Sequence, residues 1–228
     1  MHYALFVIGT TVLTALIGSS TVATAMLLRR WQPPGNLLLQ RGDVVLRLAL
    51  IGLCIGLGVL SQLNWATLGW TLPRPLWQLA LGMGVGLGLG LSLYALSRGA
   101  QRLAGTRLYN EQLAVLITPH SRAEFWLVLL ALAPVVMLEE LLFRSLLLGG
   151  LTPILPVYLL VIGGSILFGA LHLPQGPVGM AGAGLASLAL GALFFYAHSL
   201  LAPLVAHYLT NLVQLVLVVQ ASRRASTN

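Results

Sequence analysis

The chain has 228 residues, of which 58% are hydrophobic and 7% charged, and its formal net charge is +7. A soluble domain carries roughly a quarter charged residues, so there is too little polar side chain here to clothe a water-soluble globule, and the mean hydropathy of +0.93 agrees. A soluble enzyme, a disordered tail and a coiled coil are excluded; the composition implies an all-α, polytopic transmembrane helical bundle, with residues 1–228 forming a single integral membrane domain.

Backbone groups in lipid must satisfy one another, so long apolar runs read as helices. Seven such spans are expected, at about residues 3–28, 44–63, 76–97, 124–149, 153–173, 178–197 and 200–220. The first is read as uncleaved. Ala23-Thr24-Ala25 resembles a processing site, but no basic n-region precedes the run, and Arg29 and Arg30 follow at once. Span two contains the single cysteine, Cys54, which excludes an internal disulfide and reads as a packed thiol. Trp65, Trp70 and Trp77 surround the 64–75 loop as interfacial aromatics. Span three carries Gly82, Gly84, Gly86, Gly88 and Gly90. No G-x-G-x-x-G is present, so a phosphate loop is not indicated. Gly82, Gly86 and Gly90 fall on one helical face and suit close helix packing. Residues 98–122 form the longest polar stretch. With Leu108, Leu113, Leu116 and Ile117 among its arginines, this stretch is expected to lie partly on the membrane surface.

All twelve basic residues are Arg. The sequence pI near 10.5 would suggest nucleic acid in a soluble protein. In a membrane protein Arg is instead retained in cytoplasmic loops, so no nucleic-acid partner is expected. With seven crossings, one side holds Arg29, Arg30, Arg41, Arg47, Arg98, Arg102, Arg107, Arg122, Arg223 and Arg224. The other holds only Arg74. This asymmetry puts those loops and the C-terminus in the cytoplasm. Arg144 is left inside a span.

Ionisable groups within a bilayer are costly and mark function by default. Glu139 and Glu140 are adjacent in span four. Glu140 and Arg144 are four apart and can pair, whereas Glu139 is rotated by about 100° and needs another partner. Pro134 removes a backbone hydrogen bond just before them and is expected to kink the helix. Span five ends in Phe168-Gly169-Ala170-Leu171-His172, and span seven carries His207-Tyr208-Leu209-Thr210-Asn211. Carboxylate, imidazole and carboxamide groups on three helices could thus line one small aqueous cavity. His2, His120 and His198 are weaker candidates, being terminal, in a loop and at a helix end. Straight helices with these boundaries would separate His172, Glu139 and His207 in depth, so the shared site requires a kink, a tilt or shifted ends.

Glu-Glu-x-x-x-Arg at 139–144, Phe-x-x-x-His at 168–172 and His-x-x-x-Asn at 207–211, in this order, resemble the CPBP family of intramembrane proteases, also called the ABI family. That family includes the CAAX prenyl endoproteases and bacterial proteins linked to bacteriocin immunity. The resemblance covers about 124–213 as a catalytic core, while the spans within 1–97 carry no motif. Ser145 departs from relatives that often place Gly there.

The resemblance implies an endopeptidase in a bacterial plasma membrane, with a peptide or membrane-protein substrate and the lipid bilayer as partners. It implies that Glu139 and His172 activate water, that His207 and Asn211 stabilise the oxyanion, that Glu140 and Arg144 orient the site, and that Phe168 packs beside it. Zinc, if used, would draw on Glu139, His172 and His207. However, H-E-x-x-H is absent and Asn211 is a better oxyanion donor than zinc ligand, so a metal-free glutamate mechanism is favoured. Two rival readings are a non-catalytic immunity or scaffold protein of the same fold and a small proton-coupled transporter. The second ranks lower because the first half of the chain has no buried acid and no matching repeat.

Overall fold

The computed structural model describes residues 1–28, 30–31, 34–104 and 115–225, and every regular element among them is helical. Seven principal helices follow in order: α1 His2–Leu28, α2 Arg41–Leu60, α3 Pro75–Ala104, α4 Arg122–Glu140, α5 Val157–Ala170, α6 Gly176–Ala197 and α7 Leu201–Ala225. After Glu140 the fourth helix continues as a π-helix, Leu141–Gly149. Short 3-10 turns at Leu37–Leu39 and Leu173–Gln175 precede α2 and α6.

Six of these helical stretches are long and apolar enough to cross a membrane; the exception is α5. The expected span 153–173 is corrected here. At 1.5 Å per residue a 14-residue helix reaches only about 21 Å, short of the roughly 30 Å hydrocarbon layer. Pro156 stands immediately before its first turn, and His172 lies beyond its last. Helix α3 runs further than expected, to Ala104. Residues 105–114, the middle of the stretch expected on the membrane surface, lie outside the described residues.

The exposed surface is apolar. Leu5, Ile8, Val12 and Leu16 on α1, and Trp126, Leu127 and Leu130 on α4, all face outward, as lipid-facing side chains do in a chain that has no reason to hide them. The largest core cluster joins Phe6 and Leu13 of α1 and Cys54 and Leu57 of α2 to Leu141, Leu142, Phe143 and Leu146 of the π-helix. Cys54 is buried and free. The loop after α2 also enters the bundle. Leu68 is buried, and its carbonyl accepts a 2.8 Å hydrogen bond from Ser145 Oγ. Ser145 therefore fastens this loop to the helix carrying the glutamates. Gly69 adopts φ +73° in the same loop, and its carbonyl accepts from Leu200 N at 2.8 Å.

Helices α3 and α7 pack along the expected glycine face. A Cβ at Gly86 would lie 2.6 Å from the Ala206 carbonyl oxygen, one at Gly82 2.7 Å from that of Ala202, and one at Gly90 2.8 Å from Val213. Thr210 Oγ1 donates to the Gly86 carbonyl at 3.2 Å and to that of Ala206 at 2.8 Å. Only glycine permits this approach, which fixes the rotation of α7 and hence the direction of His207 and Asn211. Gly84 and Gly88 have nothing within 4 Å of a built Cβ. Gly86→Val should therefore lower the thermal midpoint in detergent, by a cost of about 1–3 kcal/mol for overpacking. Gly84→Ala and Gly88→Ala should be neutral or stabilising by up to about 1 kcal/mol. Equal effects at all three positions would contradict this packing.

Candidate active site

Glu140 and Arg144 sit one helical turn apart where α4 passes into the π-helix, and both are fully buried. Arg144 Nε lies 3.2 Å from Glu140 Oε2. The two charges are in contact, but the N–H is not aimed at the oxygen: Oε2, Nε and Nη1 have no aligned hydrogen-bond partner. The guanidinium is held from other sides as well. Its Nη2 donates to Ser187 Oγ at 3.3 Å and to the Ser187 carbonyl at 3.4 Å, both on α6. Its carbon lies 5.1 Å from the centre of the Phe168 ring, within cation–π range. Arg144 thus ties α4, α5 and α6 together. No signal in the sequence pointed to Ser187.

The second oxygen of Glu140 faces α7. His207 Nδ1 donates to Glu140 Oε1 at 2.7 Å. The opposite nitrogen, Nε2, lies 3.5 Å from Glu139 Oε2. The separate partner required for Glu139 is therefore the same imidazole that Glu140 holds. The two contacts differ in kind: 2.7 Å is a charge-assisted hydrogen bond, whereas 3.5 Å is an electrostatic contact that one water can bridge. Glu139 also differs in exposure, with 28% of its side chain accessible against none for Glu140.

His172 follows the C-terminus of α5. Its Nδ1 is 2.7 Å from the Phe168 carbonyl oxygen. A carbonyl can only accept, so Nδ1 carries a proton, and in the neutral ring Nε2 has the lone pair. Phe168 stacks at 4.5 Å from the His172 ring, meets His207 edge-on at 6.0 Å and packs against Phe143 at 4.8 Å. One aromatic ring thus spaces both imidazoles and the buried guanidinium.

Glu139, His172, His207 and Asn211 line one cavity of about 280 Å³, together with Gln175 and Gln214. The remaining wall is mostly apolar: Val128, Leu132 and Val135 of α4, Leu215 and Val218 of α7, and Leu37, Leu38 and Ile117 from the two Arg-rich connections. Those connections are tied by Asn36 Nδ2 donating to the Ile117 carbonyl at 3.0 Å. A smaller cavity of about 110 Å³ shares His172, Gln175, His207, Asn211 and Gln214 and continues between α3 and α6 past Ser97, Gly179 and Gly182.

The depth conflict is removed by the short α5, which lets His172 line the same cavity as residues within α4 and α7. Glu140, Arg144 and Phe168 do not line the larger cavity; they brace it. The leucines of the 37–39 turn and the carboxamides of Gln175 and Gln214 were not among the expected site residues. Gln214 alone had a readable signal, lying three residues past Asn211 on the same face of α7.

Among the described residues no three His, Cys, Asp or Glu side chains converge as a metal-ligand set. His207 has Nδ1 engaged by one carboxylate and Nε2 facing the other, and His172 Nδ1 is engaged by a carbonyl. Glu139, His172 and His207 are not brought together as a metal-ligand set among the described residues, although an Nδ1–H held by a carboxylate or a carbonyl leaves each imidazole its Nε2.

Residues 121–213 match the family model described as Type II CAAX prenyl endopeptidase Rce1-like, consistent with the resemblance to the CPBP intramembrane proteases read from the three motifs. No curated protein and no solved structure matches the chain. The match supports a CAAX-protease-like hydrolase at the level of the family, and with the apolar helices it supports a multi-pass integral membrane protein.

Removing one member of a buried charged pair typically costs about 3–5 kcal/mol, because the survivor is left uncompensated. Arg144→Met and Glu140→Leu should each lower the thermal midpoint sharply. The double variant should lose much less than the sum of the two. Additive losses in this cycle would show that the pair is not coupled.

Proposed function

We propose that the chain is an intramembrane endopeptidase that hydrolyses a peptide bond with water activated by Glu139 and His172. The observation that carries this reading is the shared cavity: a carboxylate, two imidazoles and a carboxamide line one space whose remaining wall is mostly apolar. Peptide hydrolysis needs these elements: a base for water, donors for an oxyanion, and a proton for the leaving amine.

In this mechanism water sits between Glu139 and His172 Nε2. Its oxygen attacks the scissile carbonyl carbon, and its proton passes to Glu139. The carbonyl oxygen becomes an oxyanion and receives hydrogen bonds from Asn211 Nδ2 and His207 Nε2. His207 can donate there when both nitrogens carry protons, Nδ1–H going to Glu140 and Nε2–H to the substrate. Glu140 stabilises that cation and fixes the ring. The proton held by Glu139 then goes to the leaving nitrogen as the C–N bond breaks, which returns the carboxylate. Arg144 and Phe168 position Glu140, His172 and His207.

The cavity wall includes Leu37, Leu38 and Ile117 from the Arg-rich connections. With the positive-inside rule, we place the site's opening on the cytoplasmic side, along with those connections. The apolar wall suits an apolar peptide or a lipidated tail.

Purified protein should cleave a fluorogenic farnesylated CAAX peptide. Glu139→Gln and His172→Ala, folded as judged by thermal unfolding, should abolish turnover. Asn211→Ala should lower kcat by about 10²–10³ with little change in KM, as expected for an oxyanion donor. Full-rate cleavage by Glu139→Gln would overturn the mechanism. Chelators should leave the rate unchanged; stoichiometric zinc whose removal and return switch activity off and on would overturn the metal-free scheme.

A further inference from the structure

A peptide drawn into a cavity between membrane helices brings its own backbone donors and acceptors, and each must find a partner there. The scissile bond is served by Glu139, His172, His207 and Asn211 in the proposed mechanism. The flanking peptide bonds are not. The larger cavity offers them few polar side chains: Thr118, Gln175 and Gln214. Thr118 already has an interaction of its own.

Gln175 and Gln214 are the polar residues at this junction that the proposed water-activating and oxyanion set leaves unused. Both line the larger and the smaller cavity, as do His172, His207 and Asn211, so they stand where the two spaces meet. Gln214 continues the face of α7 that carries His207 and Asn211. Gln175 ends the 3-10 turn that follows His172. Its side chain lies over Gly179, where a Cβ would clash with Gln175 Cβ and come 3.0 Å from its Oε1. Each carboxamide offers a carbonyl oxygen and an NH₂, the complement of the N–H and C=O of a peptide bond. Both are uncharged, so neither competes with Glu139 for the proton of the attacking water.

We infer that Gln175 and Gln214 bind the substrate backbone on the two sides of the scissile bond, with the chain passing from the larger, apolar cavity through the junction into the smaller one. The reading rests on the proposed peptide substrate and goes beyond the water-activating set. The apolar wall of the larger cavity receives side chains or a lipid, while the carboxamides fix the register of the backbone. Gly179 contributes by leaving Gln175 its place.

The test separates binding from turnover. A fluorescent farnesylated CAAX peptide is titrated by anisotropy into Glu139→Gln protein in detergent. It is compared with peptides in which one backbone amide flanking the scissile bond is replaced by an ester, which removes the N–H and weakens the carbonyl as an acceptor. The ester should weaken binding about 5–10-fold, as for one lost hydrogen bond. In the Glu139→Gln background, Gln214→Leu and Gln175→Leu should each weaken the all-amide peptide similarly and erase the ester penalty on one side. Gln214→Met and Gln175→Met serve if a leucine variant misfolds. An undiminished ester penalty in these variants would overturn the inference, as would failure of the peptide to bind. Binding with the expected pattern but no cleavage by wild-type protein would support the backbone clamp and reject the hydrolytic reading.

Discussion

His207 is held between two adjacent carboxylates, and the rest of the site depends on this constraint. Glu139 and Glu140 are neighbours in sequence but reach opposite nitrogens of one ring. Membrane hydrocarbon offers no solvent to either charge. The fold meets the cost for Glu140 with Arg144, and for Arg144 with Ser187 and the face of Phe168. Each compensating group comes from a different helix, so satisfying one carboxylate requires α4, α5, α6 and α7 to stand in register. Glu139 then keeps a long contact to His207 and partial exposure to the cavity. A buried ion pair is weak grounds for stability in itself. Its consequence here is geometric, because it orients the imidazole and frees the neighbouring carboxylate.

The packing that delivers α7 to this arrangement is set by absent side chains. Gly82, Gly86 and Gly90 bring the α3 backbone against α7, and Thr210 locks the pair from between His207 and Asn211. On the other side, Gly169 of α5 would meet the backbone of Met180 and Gly184 of α6 if it carried a Cβ. Small residues at helix interfaces provide close approach where lipid gives no hydrophobic drive. Close approach in turn lets short polar side chains reach one another.

Much of this was legible because helical spacing converts directly into a face. Glu140 with Arg144, His207 with Asn211 and the glycine stripe each follow from residues four apart. The apolar runs located the helices for the same reason. What was not legible depends on relative depth and rotation between helices. His172 was expected at a membrane end because hydropathy cannot show that α5 stops at 14 residues. The link from Glu140 to His207 spans 67 positions, and Ser187 is an unremarkable polar residue in an apolar helix. The π-helical continuation after Glu140 has no marker in the local sequence. The bond from Ser145 to the Leu68 carbonyl spans two distant segments and has no marker in the local sequence either.

The family match covers residues 121–213, yet the larger cavity is completed by Leu37, Leu38, Ile117 and Thr118, which lie before it in the chain. The segment without motifs therefore shapes this cavity together with Glu139, His172, His207 and Asn211 of the matched segment. The central claim is that Glu139 makes this cavity hydrolytic. Its most direct test compares new peptide termini in membranes carrying the wild-type chain with those carrying a stably inserted Glu139→Ala chain. The account predicts a defined set of termini present only with the wild-type chain; identical sets of termini in both would contradict it.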